Sequence, residues 1–165
     1  MVHLIGCIMV SLPLHTAADG EKYAPKDGHF TVRFPGKPKE SKQSTKTETG
    51  TLDVVTATYA FADGNVYVAS YTKFPAEVVK PEVRGTLFDG VVKGLKGKDG
   101  TVTSEKEIEI GSEKGREVLI DKGKAIARYR ILVKDDRLIQ LGAVGMAPFA
   151  TARDATVFFE SLELK

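Results

Sequence analysis

Three runs in the second half of the chain, Arg116 to Asp121, Lys124 to Lys134 and Arg137 to Gly145, are rich in apolar and β-branched residues. Only Lys122-Gly123 and Asp135-Asp136 separate them. A parallel connection needs about a dozen residues to cross over, so strands joined by two polar residues must run antiparallel. This meander is the firmest constraint on the fold, and the first half obeys the same rule. Phe30, Val32 and Phe34 alternate with Thr31 and Arg33 until Pro35-Gly36 stops the strand. Leu52 to Phe61 and Val66 to Tyr71 flank Asp63-Gly64, a hairpin signal. Between Lys37 and Gly50 the residues are mostly Lys, Glu, Ser and Thr, which reads as a solvated arm or charged hairpin edge.

Two segments change period. From Lys80 to Lys96, Val83, Leu87, Val91 and Leu95 recur with Phe88 and Val92 beside them, predicting a helix with Pro81 in its first turn. Gly85, Gly90 and Gly94 each disfavour that helix by roughly 1 kcal/mol, and close packing on the sheet is the expected reason for them. From about Phe149 to Ser161, Ala152, Ala155, Phe159 and Leu162 share a face with Phe158 beside them, a second helix. Val102 to Ile110 reads as another strand, and Leu162 to Lys165 as a short pairing segment. Strands with helices inserted as units give an α+β class, a central antiparallel sheet covered by helices.

At 165 residues the chain fits one domain. Lys and Arg number 24 against 22 Asp and Glu, a net charge of +2. That balance argues against a dedicated nucleic-acid binder, which needs surplus cations to neutralise phosphates.

No charged residue precedes Asp19. Val2 to Leu14 is apolar and too short to span a bilayer, and Pro13 followed by His15-Thr16-Ala17-Ala18 resembles a cleavage region. The expected organisation is a signal peptide over residues 1–18, a flexible lead-in over 19–28 and a single domain over 29–165. A basic segment before the apolar core is missing, and a translation start upstream of Met1 is one explanation for that. A buried N-terminal strand is the plainer alternative. Leu4-Ile5-Gly6-Cys7 also spells a lipobox, so a lipid anchor at Cys7 is the alternative to a periplasmic or extracellular protein. Against it stand the few residues before Cys7 and the apolar ones after it.

Removal of the leader decides the chemistry. The remaining chain holds no Cys, no Trp and one histidine, His29. Thiol catalysis, disulfides and multi-histidine metal sites are then excluded within one chain, and no cofactor fingerprint is present. His29 reads as an exposed loop residue without a Gly-x-Ser-x-Gly partner. Gly111 to Arg116 reads as a turn rather than a phosphate loop, and Asp135-Asp136 as a turn rather than a Ca²⁺ loop. Lys93, Lys96 and Lys98, with the lysines from Lys37 to Lys46, are interspersed with Glu40, Glu48 and Asp99 and read as a soluble surface.

The order of elements, the Phe30 to Pro38 opening (Phe-x-Val-x-Phe-Pro-Gly-Lys-Pro), Gly115-Arg116-Glu117 and the closing Phe158 to Leu162 resemble the PsbP/Mog1-like family. The likeness extends in particular to its small exported bacterial members. That resemblance implies an α/β/α sandwich. It also implies a protein-binding role, since characterised relatives serve a photosynthetic complex and a small GTPase and are not regarded as enzymes.

Arg128 and Arg130 alternate and so share one face of a strand. If Lys122-Gly123 is the turn, Glu117 lies opposite Arg128 and Arg130 opposite Gly115. The structural expectation is a Glu117–Arg128 ion pair; the functional one is an anion- or partner-binding face formed by Arg116, Arg128 and Arg130. No catalytic, cofactor-binding or metal-binding residue is expected. The expected function is an exported, non-enzymatic module that binds a protein or an envelope component. The alternative is a small hydrolase or small-ligand carrier using carboxylates and arginines that converge only in three dimensions.

Overall fold

A computed structural model of the chain describes residues 20–47 and 50–165. The proposed leader, with Cys7, lies outside the described residues. The elements run β1 (Glu21–Tyr23), β2 (Phe30–Phe34), β3 (Lys39–Thr47), β4 (Gly50–Ala60), β5 (Val66–Lys73), α1 (Arg84–Lys96), β6 (Thr101–Ile110), β7 (Glu113–Asp121), β8 (Ile126–Lys134), β9 (Arg137–Gly145), α2 (Arg153–Glu160) and β10 (Glu163–Leu164). The chain is mostly β. Seven strands form one sheet in the order β3-β4-β5-β9-β8-β7-β6, and β1-β2-β10 form a second. Every pairing is antiparallel, as the short turns require.

Alternation along the strands sorts the side chains onto two faces. Tyr67, Ala69, Leu132, Ile139 and Leu141 share one apolar cluster with Phe30, Val32 and Phe34 of β2 and with Ala155, Phe158 and Phe159 of α2. The Phe158 ring stacks on Tyr67 with centroids 4.5 Å apart, which docks α2. On the opposite face, Val118, Ile120, Ala127, Ile131 and Val133 join Phe88 and Val92 of α1.

Within the expected lead-in, Glu21–Tyr23 forms β1 and pairs with β2. Tyr23 puts its ring edge-on to Phe30 and Phe34, and its hydroxyl donates to Glu40 at 2.6 Å. One aromatic residue among polar neighbours is enough to hold a short strand there. The arm is the edge strand β3, paired with β4 from Lys39 onward. Its lysines and glutamate discourage pairing with another chain.

Both helices differ from expectation. In α1 the buried residues are Phe88 and Val92, while Val83 is 39% exposed. Leu87, Val91 and Leu95 lie half-buried against the same cluster, as their spacing predicts, and only Val83, in the 3₁₀ turn ahead of the helix, falls outside it. A Cβ on Gly85, Gly90 or Gly94 would meet nothing within 4 Å, so packing does not explain these glycines. We expect Gly90→Ala to raise stability by roughly 0.5–1 kcal/mol in urea unfolding; a loss would mean that this position is constrained after all. The second helix is shorter than its pattern. A 3₁₀ turn over Phe149–Thr151 ends at Ala152, whose ψ of 163° breaks the helical path before α2 begins. The break lets Phe149 reach Phe61 and Tyr67, at 5.4 and 5.0 Å, while Phe158 stays on α2.

Candidate functional site: a carboxylate clamped by three cations

The β7–β8 turn sets the register that positions the charges. Its centre is Gly123-Lys124, with Gly123 at φ 80° and Lys122 N–H donating to the Ala125 carbonyl at 2.8 Å. Glycine takes the first central position because that position needs a positive φ, and the Asp121 carboxylate accepts the Gly123 N–H at 2.7 Å. The expected turn at Lys122-Gly123 is therefore displaced by one residue, which moves the pairing by two. Glu117 stands opposite Arg130, not Arg128, and Gly115 stands opposite Leu132. A shift of two keeps every residue on its face, so Glu117, Arg128 and Arg130 still converge.

The Glu117 carboxylate is the centre of the site. Its Oε2 accepts from Arg128 Nη2 and from Arg130 Nε, both at 2.8 Å, and Lys106 Nζ lies 3.0 Å from Oε1. Only 9% of the Glu117 side chain is exposed, and 14% and 16% of the two arginines. Both guanidiniums also lie over the Phe159 ring, at 4.7 and 5.3 Å from its centroid. Arg128 Nη1 donates to Thr156 Oγ1, and Arg130 Nη1 to the Phe159 carbonyl, each at 3.1 Å. The strand pair is thereby tied to α2.

Electrostatics follow from the geometry. Burial alone pushes the Glu117 carboxyl up, but the hydrogen bonds from Arg130, Arg128 and Lys106 outweigh it and lower its pKa from 4.5 to about 2. At neutral pH it is an ionised acceptor and cannot serve as a general acid. Three cations against one carboxylate leave the group with two positive charges. Beside it opens a cleft of about 240 Å³ lined by Ser104, Lys106, Glu117, Leu119, Arg128 and Thr151.

Arg116 does not belong to this group. It projects from the other face of β7, where it bonds Asp89 at 2.6 Å and Glu105 at 2.7 Å and lies 5.6 Å from the centroid of Phe88. The three arginines therefore do not form one face. His29 has φ 60°, is partly exposed, and its Nδ1 is 2.7 Å from the Asp135 carboxylate in the β8–β9 turn. That hydrogen bond holds the Asp135 carboxyl below its ordinary range. It bonds the entry of β2 to a turn of the large sheet. The lysines of β3 and of α1 are not gathered, since β3 is one edge of the sheet and α1 packs beside β7 near the other. Of Gly111 to Arg116, only Gly111 and Ser112 form the turn; the rest is β7. Among the described residues, no cluster of His, Cys, Asp and Glu could hold a metal ion. No helix among them is long and apolar enough to cross a membrane.

Lys106 and Phe159 are the contributors that sequence reasoning missed. Counting outward from Gly111-Ser112 as a two-residue turn puts Lys106 opposite Glu117, as observed. Treating the whole stretch to Arg116 as a turn hid that signal.

Comparison with protein-family models and with curated proteins finds no match. Among solved structures, the solution structure of cyanobacterial PsbP (CyanoP) from Synechocystis sp. PCC 6803 superposes with a TM-score of 0.59. The match covers 98% of this chain and 99% of that one at 8% sequence identity. At that identity the likeness concerns architecture alone: the chain has a PsbP-like fold.

Proposed function

We propose that this chain is an exported, non-enzymatic module that binds a protein or a component of the cell envelope. In this reading its helices close the two faces of the sheet as an α/β/α sandwich, and its working surface is the cationic cleft over Glu117. The observation that carries it is the state of that carboxylate. A hydrolase of the carboxylate-pair kind would use two nearby carboxyls, one with its pKa raised to hold a proton near neutrality. The cleft instead has a single carboxylate, lowered to about 2 and bound by Arg128, Arg130 and Lys106. The PsbP-like fold agrees with a binding role, which the family resemblance implies.

The test pairs a broad hydrolase screen with affinity capture from the protein's own envelope fraction. We expect turnover at the buffer background and retention of a specific component by the wild-type chain. Turnover lost in a folded Glu117→Gln variant, with nothing retained, would replace this reading by the hydrolase one.

A further inference from the structure

The cleft beside Glu117 has the size and charge to take one small group. Pockets for drug-sized ligands run to roughly 300–1,000 Å³. At about 240 Å³ this one suits a single carboxylate or phosphate rather than a cofactor. Its donors are in surplus. Arg128 carries five N–H donors and bonds two acceptors in the chain, Glu117 and Thr156. Lys106 carries three, is 61% exposed, and reaches one carboxylate, Glu117. Arg128 Nε bonds nothing among the described residues, and since no fully buried side-chain nitrogen or oxygen there lacks a partner, Nε is not fully buried. Ser104 is exposed at the rim, whereas the Thr151 hydroxyl is already used on the Pro148 carbonyl. Glu105 neighbours Lys106 in sequence but is taken by Arg116 on the other face.

We infer that this cleft binds an oxyanion, a carboxylate or a phosphate group, between Lys106 and Arg128 with Ser104 as a further donor. Glu117 acts as an internal template: it holds the two guanidiniums and the ammonium at fixed spacing and leaves two positive charges for the ligand. The arginines are pre-ordered by the Phe159 ring, by Thr156 or the Phe159 carbonyl, and by their shared Glu117 carboxylate, so little side-chain freedom is lost on binding. The inference rests on the binding-module reading for its biological purpose, but not for its chemistry.

The full chain is titrated at constant ionic strength with inorganic phosphate and, separately, with a short Glu-rich peptide against a Gln-rich control, following backbone amide shifts. We expect saturable shifts confined to residues 104–106, 117–119, 128 and 151, and at least about tenfold weaker binding in Lys106→Met, the loss of one charge-assisted hydrogen bond. Phosphate binding without peptide binding identifies a free ion as the source. Tighter peptide binding identifies an acidic side chain of a partner. Either supports the site. Non-saturating shifts spread over Lys37, Lys93 and other surface lysines, or unchanged affinity in Lys106→Met, would overturn it. Capture of a partner that Lys106→Met leaves intact would retain the module and reject this cleft, whereas anion binding without any partner would do the reverse.

Discussion

Replacing Glu117 with Gln should lower the unfolding free energy by about 3 kcal/mol at neutral pH, or roughly 6–12 °C in Tm for a chain of this size. The side chain keeps its shape, so the loss is electrostatic. Arg128 and Arg130, both largely buried, would face each other and Lys106 with no counter-charge. Removing one member of a buried ion pair typically costs about 3–5 kcal/mol, because the survivors stay desolvated without a partner. The lower end applies here since one side of the cleft admits water. Substituting Glu117, Arg128 and Arg130 together by apolar residues of similar volume should cost far less, because no charge is then left unpaired.

The same contribution depends on pH with a definite sign. The folded-state pKa of Glu117 lies below its unfolded value, so the stabilisation is fully present above about 4.5 and is lost as pH falls toward 2. A shift of this size is worth at most about 3 kcal/mol, reduced to about 2 by solvent screening at the open side of the cleft. The stability gap between wild type and Glu117→Gln should therefore narrow across that window in urea titrations. A gap below about 0.5 kcal/mol at neutral pH would contradict the clamp.

The second large effect is expected at Phe159. Its ring is fully buried, packs in the α2 cluster and underlies both guanidiniums. Phe159→Ala should cost about 4–5 kcal/mol, the loss of a buried aromatic with a cavity left behind. Phe159→Leu keeps most of the apolar burial and removes the two cation–π contacts, so it should cost about 1–2 kcal/mol. In both variants the Glu117 pKa should rise toward its ordinary value as the arginines lose their platform, a readout that packing alone would not move. Equal stability losses in the two variants, with the Glu117 titration unchanged, would uncouple α2 from the charge cluster.

The strand order of the meander was legible because short polar turns leave antiparallel pairing as the one option. Its register was not, since Lys122-Gly123 and Gly123-Lys124 are equally good turns on paper and only the glycine's positive φ chooses between them. The face shared by Glu117, Arg128 and Arg130 survived that ambiguity because a shift of two preserves alternation. The apolar face of α1 was legible from its spacing, whereas its glycines were misread, since a Cβ at Gly85, Gly90 or Gly94 meets nothing within 4 Å. The ordering of Glu21–Tyr23 was invisible because its stability comes from Phe30 and Phe34, which belong to another strand. Phe159 could be placed on an apolar face, but its role beneath two guanidiniums depends on where α2 crosses the sheet.

The measurement that bears most directly on the whole account is a carboxyl-carbon NMR titration of Glu117 from neutral pH into acid. The clamp predicts an ionised carboxylate throughout the folded range, with a midpoint near 2. A midpoint at or above the ordinary value of 4.5 would mean that the three cations do not hold this carboxylate, and the clamp at the centre of the site would be rejected.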